Sequence, residues 1–219
     1  MKQKFLKTFF LDLSYFIFLL IIFILGKLKL KEILTTIQSF SPSLNSLDPN
    51  KDILQAQTLL NQINSLSNQA YLFLFIIIPL LIFIAHVSIQ GYSFYILKKE
   101  KNYFLKFILI NIPLFIFLTL LIVNFNIYLF ILIILVGYST FFLYFKDLSK
   151  LKLALTKIYK FFPLFLFFII LFLIPISLFA LSYLNLAVNG NYLLFFILGI
   201  IFTLILSFYK VILAEKLFN

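Results

Sequence analysis

A few polar side chains lie within long apolar stretches, where an ionisable group is a functional hypothesis by default. His86 is the single histidine, and Gln90 follows it one helical turn later. Asn111 lies in the next apolar stretch at nearly the predicted depth of Gln90, so we expect the two amides to meet between neighbouring helices. Together they could form a polar pocket or a proton-sensitive gate. The alternative is hydrogen bonding that fixes helix packing, worth about 0.6 kcal/mol per contact, and the lack of an acid beside His86 favours it.

The sequence offers no catalytic or metal-binding constellation. It has no cysteine, which excludes disulfides, zinc–thiolate sites and thiol catalysis, and it has no Walker A, HExxH or EF-hand motif. Gly137-Tyr138-Ser139-Thr140 resembles the GxSG motif of six-helix intramembrane serine proteases. However, Thr140 replaces the second glycine and the only histidine lies on a different predicted helix, so the serine has no base. We therefore expect a protein that is not an enzyme and that binds neither cofactor nor metal.

The elements that must position these residues follow from the composition. Of 219 residues, 64% are hydrophobic and 11% are charged, and the mean hydropathy is +1.15. A soluble domain is about half apolar and a quarter charged. A water-soluble fold of this size cannot bury so much apolar surface. The composition therefore predicts an integral membrane protein.

The basic charge has a topological meaning. The net charge is +11, and all eighteen basic residues are lysines. Arginine is the usual side chain for bidentate recognition of phosphates and guanine. Its absence, and the lack of any basic run longer than two, argue against a nucleic-acid partner.

Gaps between charges predict the membrane spans. Residues 107–145 and 161–209 contain no charged side chain, and because one spanning helix needs about 20 apolar residues, each gap holds two spans and a turn. The turns fall at 124–126 and 185–191. A long apolar stretch upstream should tilt or kink at Pro79, and the first span follows a lysine-rich start as an uncleaved signal anchor. The predicted spans are 9–26, 70–97, 107–123, 127–145, 161–184 and 192–209.

Acids are nearly absent from these spans. Asp12, near the inner end of the first span, is the exception. Ion-coupled carriers and proton pumps normally need buried carboxylates or charge pairs. The sequence therefore argues against a function of that kind.

The lysine distribution predicts the orientation. With the N-terminus inside, the inner segments hold fourteen of the eighteen lysines, including Lys210, and both later outer turns are uncharged. Cytoplasmic segments are enriched in lysine and arginine. We therefore expect an all-α bundle of six transmembrane helices in the cytoplasmic membrane, with both termini inside.

Residues 27–69 form the longest predicted extramembrane segment. A breaker cluster at 39–43 divides it, and a helix signal follows with Asp48 as N-cap and Pro49 at the first helical position. The second half has an amide-rich, nearly uncharged polar face. We expect an outer helical hairpin whose second arm runs into the second span. It is either a partner-docking or gating cap or a connector lying on the membrane surface, and the latter is favoured.

Residues 146–160 form a basic amphipathic stretch between the fourth and fifth spans. Its apolar residues share one face, and its lysines lie largely opposite. Such a helix lies in the membrane interface, where its lysines contact anionic lipid headgroups. A sharper hypothesis is a docking helix for a cytoplasmic partner. The predicted headgroup contacts are Lys146, Lys150, Lys157 and Lys160.

Parts of the first half resemble a known group of proteins. These are LDLSYFIFLLIIFILGKL in the first span, the amide-rich outer helix, and SIQGYSFYILKKEKNYFLKFILINI after it. They resemble uncharacterised multi-pass membrane proteins of small AT-rich archaeal genomes. The resemblance supports the six-helix topology, but it implies no activity and transfers no site.

The sequence favours a structural or accessory membrane protein that acts through lipid or through a membrane or cytoplasmic protein partner. The alternative is a permease-type subunit for an apolar or lipid-like substrate, which could work without buried charge. A cavity at mid-membrane depth lined by His86, Gln90 and Asn111 would favour the permease, and a solid core would favour the accessory role.

Overall fold

The described part of the chain is helical throughout. The computed structural model describes residues 2–47, 52–98, 102–123, 126–146, 151–184 and 192–218, and no strand occurs among them. We number the α-helices in chain order. They are α1 (Lys2–Ser39), α2 (Ser41–Asn45), α3 (Ile53–Leu72), α4 (Ile78–Ala85), α5 (Gly91–Lys98), α6 (Tyr103–Val123), α7 (Ile127–Phe145), α8 (Leu151–Thr156), α9 (Ile158–Leu184) and α10 (Tyr192–Phe218).

Six helical segments within the described residues are long and apolar enough to cross a membrane. A helix satisfies its own backbone hydrogen bonds, which is why apolar chains adopt it in lipid. Each predicted span overlaps one of these segments, and three of the spans, 107–123, 161–184 and 192–209, extend one to three residues beyond it. The segments are Lys2–Ser43, Ile53–Lys98, Tyr103–Leu121, Ile127–Phe145, Ile158–Leu181 and Leu193–Glu215.

Two π-helical turns interrupt the second segment. The first, Phe73–Ile77, ends two residues before Pro79. The ring of a proline clashes with the carbonyl four residues earlier, and its nitrogen has no hydrogen to donate. The irregularity expected at Pro79 therefore lies in the turn that precedes it. The second π-turn, His86–Gln90, contains both polar residues singled out in this segment, and such turns are frequent at functional sites.

The chain divides into two compact units. One comprises Met1–Leu20 and Phe83–Asn219, which we call the bundle unit, and the other comprises Ile21–Ile82, which we call the hairpin unit. In the bundle unit, α9 and α10 pack against each other along their length, as do α6 and α7. Aromatic rings fill its interior, with Phe94, Phe107 and Tyr144 in mutual contact. Close van der Waals contact between these rings stabilises the packing of the helices.

The hairpin unit contains the second part of α1 and all of α3. The chain turns between them through α2, close to the breaker cluster predicted from the sequence. The predicted cap, Asp48 and Pro49, lies outside the described residues. The described helix begins at Ile53, directly after Asp52.

The linker between the fourth and fifth candidate spans differs from the predicted single helix. α7 ends at Phe145, and Lys146 has an extended backbone with φ −131° and ψ 166°. Within the described residues, only Leu151–Thr156 forms a separate short helix, and α9 starts at Ile158. Among the described side chains here, Leu151 is half-buried, and Leu155 and Ile158 are 54% and 40% exposed.

The last helix extends beyond the predicted span, whose end at residue 209 was set by Lys210. α10 continues through Lys210 to Phe218. Lys210 is completely buried, as are Leu206 and Ser207 on the turn before it. This lysine therefore belongs to the interior of the bundle unit, whereas its position at the end of an apolar stretch predicted a residue at the inner membrane surface.

Candidate functional site

A buried ion pair joins the first and last helices of the chain. The ammonium nitrogen Nζ of Lys210 on α10 lies 2.6 Å from carboxylate oxygen Oδ1 of Asp12 on α1. Both side chains are 0% exposed. The two residues are 198 positions apart in the sequence, so the pair forms only when both ends of the chain are in place.

Polar side chains surround this pair and complete its hydrogen bonding. Ser207 donates to the other carboxylate oxygen, Oδ2, of Asp12 at 2.7 Å, and Ser93 lies 3.4 Å from Oδ1. The amide of Gln90 donates to Oδ1 of Asp12 at 3.1 Å and accepts from Lys210 at 2.5 Å. We call Asp12, Gln90, Ser93, Ser207 and Lys210 the charged cluster.

An aromatic ring completes the environment of the ammonium group. Nζ of Lys210 lies 4.9 Å from the centroid of the Phe94 ring. A cation over an aromatic face is attracted by the ring quadrupole, more strongly where water is excluded. The ammonium group therefore meets a carboxylate, an amide oxygen and a ring face, which compensates much of the cost of removing it from water.

The energetic character of the cluster follows from its burial. Removing two charges from water costs several kcal/mol per ion, and their attraction offsets this only with good geometry and further hydrogen bonds. The charged cluster supplies both. Since charged residues within membrane helices are rare and usually functional, this cluster is the main candidate site in the bundle unit.

Sequence reasoning missed this pairing, because the periodicity that marks it is a periodicity of burial and appears only in the structure. On α1 the buried residues recur every three or four positions, and Asp12 lies in the same stripe as Thr8, Tyr15 and Leu19. A similar stripe on α10 contains Lys210. Charged residues in register with the apolar face of a helix are candidates for a buried pair. The argument against an ion-coupled carrier or proton pump rested on the lack of buried carboxylates and charge pairs, and the buried Asp12–Lys210 pair removes that ground.

One polar atom beside the cluster has no hydrogen-bond partner among the described residues. The hydroxyl of Thr8 is buried one turn before Asp12 on α1. A buried hydroxyl without a partner costs free energy. This makes the N-terminal turns of α1 the least well satisfied part of the interior.

The three residues predicted as a polar cluster fall into two groups, with Gln90 in one group and His86 and Asn111 in the other. Gln90 belongs to the charged cluster. The His86 ring nitrogen Nδ1 lies 3.3 Å from the Tyr15 hydroxyl, and the Asn111 side chain lies beside His86. Gln90 and Asn111 hydrogen-bond to different partners, so the structure does not show the amide pairing expected between neighbouring helices.

Asn111 instead connects α6 to α7. Its amide nitrogen donates to the Phe107 carbonyl at 2.8 Å, and its amide oxygen accepts from the Tyr144 hydroxyl at 2.5 Å. The Tyr144 carbonyl in turn accepts from the Tyr103 hydroxyl at 2.8 Å. This arrangement matches the interpretation that isolated polar residues fix helix packing.

A cavity of about 550 Å³, which we call the aromatic cavity, lies beside His86 and Gln90. Its wall is formed by the His86–Gln90 turn and helices α5, α6, α7 and α9, and aromatic and aliphatic side chains make up most of it. Its few polar residues are His86, Gln90, Thr140 and Tyr144, whereas Asn111 is not part of the wall. The interior of the bundle unit is therefore not solid. His86 and Gln90 line its cavity, but Asn111 does not.

The cavity reaches from the surface of the bundle unit to its core. Phe130, Leu166 and Leu173 at its rim are 43%, 44% and 54% exposed. Phe141 and Phe165 within it are 2% and 3% exposed. Ligand pockets in proteins are commonly about 300–1,000 Å³ and mostly apolar, so the cavity can hold a small apolar or amphipathic molecule.

The lysines predicted to contact lipid headgroups lie in different settings. Lys157 and Lys160 are exposed at the start of α9. Lys146 follows α7, and its carbonyl accepts from Lys106 at 3.3 Å. Lys150 lies outside the described residues.

Neither a search for metal-binding groups among the described residues nor a comparison with known proteins identifies a further site. Among the described residues, no group of three histidine, aspartate or glutamate side chains could hold a metal ion. Comparison with protein-family models, curated proteins and solved structures finds no match. Functional inference for this chain therefore starts from the charged cluster and the cavity.

Proposed function

We propose that this chain is a non-catalytic multi-pass protein of the cytoplasmic membrane that acts through a lipid partner held in the aromatic cavity. Both termini face the cytoplasm, and residues 27–69 form a hairpin on the outer face. The observation that carries the proposal is the cavity of about 550 Å³, with its exposed apolar rim and buried aromatic interior.

The chemistry of the wall selects the type of occupant. Aromatic and aliphatic side chains offer dispersion contacts but few hydrogen bonds, so the occupant's buried part is a hydrocarbon chain. His86, Gln90, Thr140 and Tyr144 supply the polar part of the wall. Because the rim residues lie on a helix surface that faces hydrocarbon in a membrane, a lipid reaches the cavity sideways without crossing water.

Filling the cavity tests this proposal. Ile134 on α7 lines the cavity, and Ile134→Trp places a large ring in it. Leu132→Trp is the matched control, because Leu132 lies on the same helix, is 39% exposed and is not part of the wall. Native mass spectrometry of detergent-extracted protein would count tightly retained lipids.

We expect at least one lipid to remain bound to the wild type and to Leu132→Trp, and to be lost from Ile134→Trp while the protein stays monodisperse. Equal lipid retention by all three proteins would contradict a lipid partner in the cavity.

A second candidate function is a permease-type transport subunit for the same class of molecule. Gln90 favours it, because this residue is at once part of the cavity wall and a hydrogen-bond partner of both Asp12 and Lys210. An occupant that displaces Gln90 would alter the environment of the buried charges, which would couple occupancy to helix rearrangement.

Transfer of a fluorescent phospholipid between the leaflets of reconstituted vesicles separates the two functions. A permease should transfer it faster than protein-free vesicles do, and Gln90→Leu should slow the transfer. Lipid retention without transfer would leave the accessory function and exclude the permease for this class of substrate.

A further inference from the structure

The hairpin unit contains a second cavity, a cleft between α1 and the segment from α3 to the Phe73–Ile77 turn. Its volume is about 620 Å³. Lys29 and Ile33 line it on α1, and the opposite wall is formed by Asn61, Asn64, Ser65, Asn68, Gln69, Leu72, Phe73 and Ile77. None of these residues lines the aromatic cavity of the bundle unit, so the cleft is a separate site.

A glycine closes one end of the hairpin near this cleft. A Cβ atom on Gly26 would lie 2.9 Å from Cδ1 of Ile78, closer than real side chains approach. The end of the Ile78 side chain therefore packs directly against the backbone of Gly26. Ile77, the neighbour of Ile78 in the chain, lines the cleft, so the cleft begins beside this contact.

The wall that runs from α3 to the Phe73–Ile77 turn is polar at one end and apolar at the other. Asn61, Asn64, Ser65, Asn68 and Gln69 form a stripe with helical spacing on one face of α3. All five are exposed and lie in the segment predicted to be outside the membrane.

The apolar end lies further along the same wall. Leu72, Phe73 and Ile77 follow the polar stripe and fall inside the predicted second span. The cleft therefore crosses the level at which the chain passes from its polar segment to its apolar one. A molecule that fits it has a polar group joined to a hydrocarbon chain.

The polar end is suited to a neutral group rich in hydroxyls. Asparagine and glutamine each carry an acceptor oxygen and two N–H donors, which complement a hydroxyl group acting as donor and acceptor. Among the described residues that line the cleft, Lys29 is the one charged side chain, and its ammonium group lies 2.9 Å from Glu32. With that charge compensated, the lining offers an anionic headgroup little attraction.

We propose that this cleft binds the sugar headgroup of a glycolipid, with its hydrocarbon chain lying against Leu72, Phe73 and Ile77. The amide stripe hydrogen-bonds the sugar hydroxyls, and the apolar end orients the lipid along the hairpin. This gives the hairpin unit a ligand of its own, independent of the lipid proposed for the bundle unit.

Competition between lipids with different headgroups and identical chains tests the proposal. The full-length protein in mixed micelles would receive equimolar dioleoyl forms of digalactosyl diacylglycerol, phosphatidylcholine and phosphatidylglycerol. Native mass spectrometry would then measure which lipids stay bound. We expect the digalactosyl lipid to be retained about tenfold over phosphatidylcholine, as a few net hydrogen bonds would give.

Variants on one helix provide the matched comparison. Asn64→Leu combined with Asn68→Leu removes the centre of the amide stripe and should bring the preference close to parity. Gln55→Leu combined with Gln62→Leu replaces two exposed amides of the same helix that do not line the cleft, and should leave the preference intact. Size-exclusion profiles and thermal unfolding would confirm that both variants fold.

Three results would overturn the proposal. Equal retention of all three lipids would show that the cleft does not distinguish between headgroups. A preference for phosphatidylglycerol that Lys29→Gln abolishes would assign the cleft to an anionic headgroup. Displacement of the glycolipid by an equal concentration of a soluble digalactoside would show that the hydrocarbon chain contributes nothing.

The same experiment on Ile134→Trp separates this proposal from the lipid function of the bundle unit. If that variant loses its lipid but keeps the sugar preference, the two sites are independent. If the wild type shows the sugar preference and Ile134→Trp changes nothing in lipid binding, the glycolipid cleft stands and the function proposed for the aromatic cavity fails.

Discussion

The bundle unit and the hairpin unit each contain a lysine–carboxylate pair, and the two pairs are opposite in character. Lys29 and Glu32 are three residues apart on α1, with side chains 46% and 64% exposed. Lys210 and Asp12 lie at opposite ends of the chain and are fully buried. The distances are similar, 2.9 Å and 2.6 Å, so geometry alone does not distinguish them.

Exposure to solvent determines how much each ion pair contributes to stability. An exposed pair in water gains little because solvent screens it and each side chain loses freedom. A buried pair depends on both partners, since removing one leaves an uncompensated charge in an apolar interior. The buried pair therefore fixes how α1 and α10 are arranged, because neither residue can be buried without the other. The exposed pair adds little to the stability of the hairpin unit.

The largest expected effect comes from breaking the buried pair on one side only. Asp12→Leu or Lys210→Met leaves its partner charged and buried, and we expect each to destabilise the protein by about 3–5 kcal/mol. The double variant removes both charges and should recover most of that loss. Thermal unfolding in detergent, followed by circular dichroism, measures all three. Additive losses in the double variant would contradict the interdependence of the two residues.

A smaller effect is expected at the neutral contact between α6 and α7. Tyr144→Phe removes the hydroxyl that donates to the Asn111 amide oxygen and leaves the ring packing in place. We expect a loss of about 1 kcal/mol, because hydrogen bonds between membrane helices contribute little individually. The same unfolding measurement applies. A loss as large as that of Lys210→Met would show that this neutral contact matters as much as the charged cluster.

His86 should matter less again. His86→Phe keeps an aromatic ring against Phe107 and Phe172 and removes the contact with the Tyr15 hydroxyl. We expect a stability change of about 0.6 kcal/mol or less. If lipid transfer by reconstituted protein stopped while stability stayed the same, His86 would have a functional role that hydrogen bonding in the core does not explain.

The smallest effect is expected for the exposed pair of the hairpin unit. Glu32→Ala should change stability by less than about 0.5 kcal/mol, and high salt should reduce even that difference. Melting curves at two ionic strengths measure it. A change comparable to that of Tyr144→Phe would remove the contrast between the two pairs.

The sequence was sufficient to predict a helical chain with six segments long and apolar enough to cross a membrane. The charge-free stretches correspond to helices α6, α7, α9 and α10, because a long uncharged apolar run in a bilayer has no alternative to a helix. The boundaries were less certain. Lys210 ends a charge-free run, but α10 continues to Phe218, and the sequence did not show that this lysine is buried against Asp12.

The candidate site was predicted in part. His86, Gln90 and Asn111 stood out by chemistry, since polar residues are conspicuous in an apolar chain. Their partners could not be predicted from spacing, because helix order and rotation decide which faces meet. That is why Gln90 pairs with Asp12 and Lys210, and Asn111 with Tyr144. The aromatic cavity has no sequence signal, since phenylalanine is abundant throughout the chain.

Photolabelling with a lipid tests the central claim most directly. A phospholipid with a photoreactive group midway along one acyl chain would be activated in vesicles containing the protein, and the adducts mapped by peptide sequencing. We predict adducts on Phe141, Phe165 or Phe168, which line the cavity and are at most 8% exposed, and their loss in Ile134→Trp. Adducts confined to exposed residues of the membrane-facing helices, unchanged by that substitution, would contradict a lipid within the bundle unit.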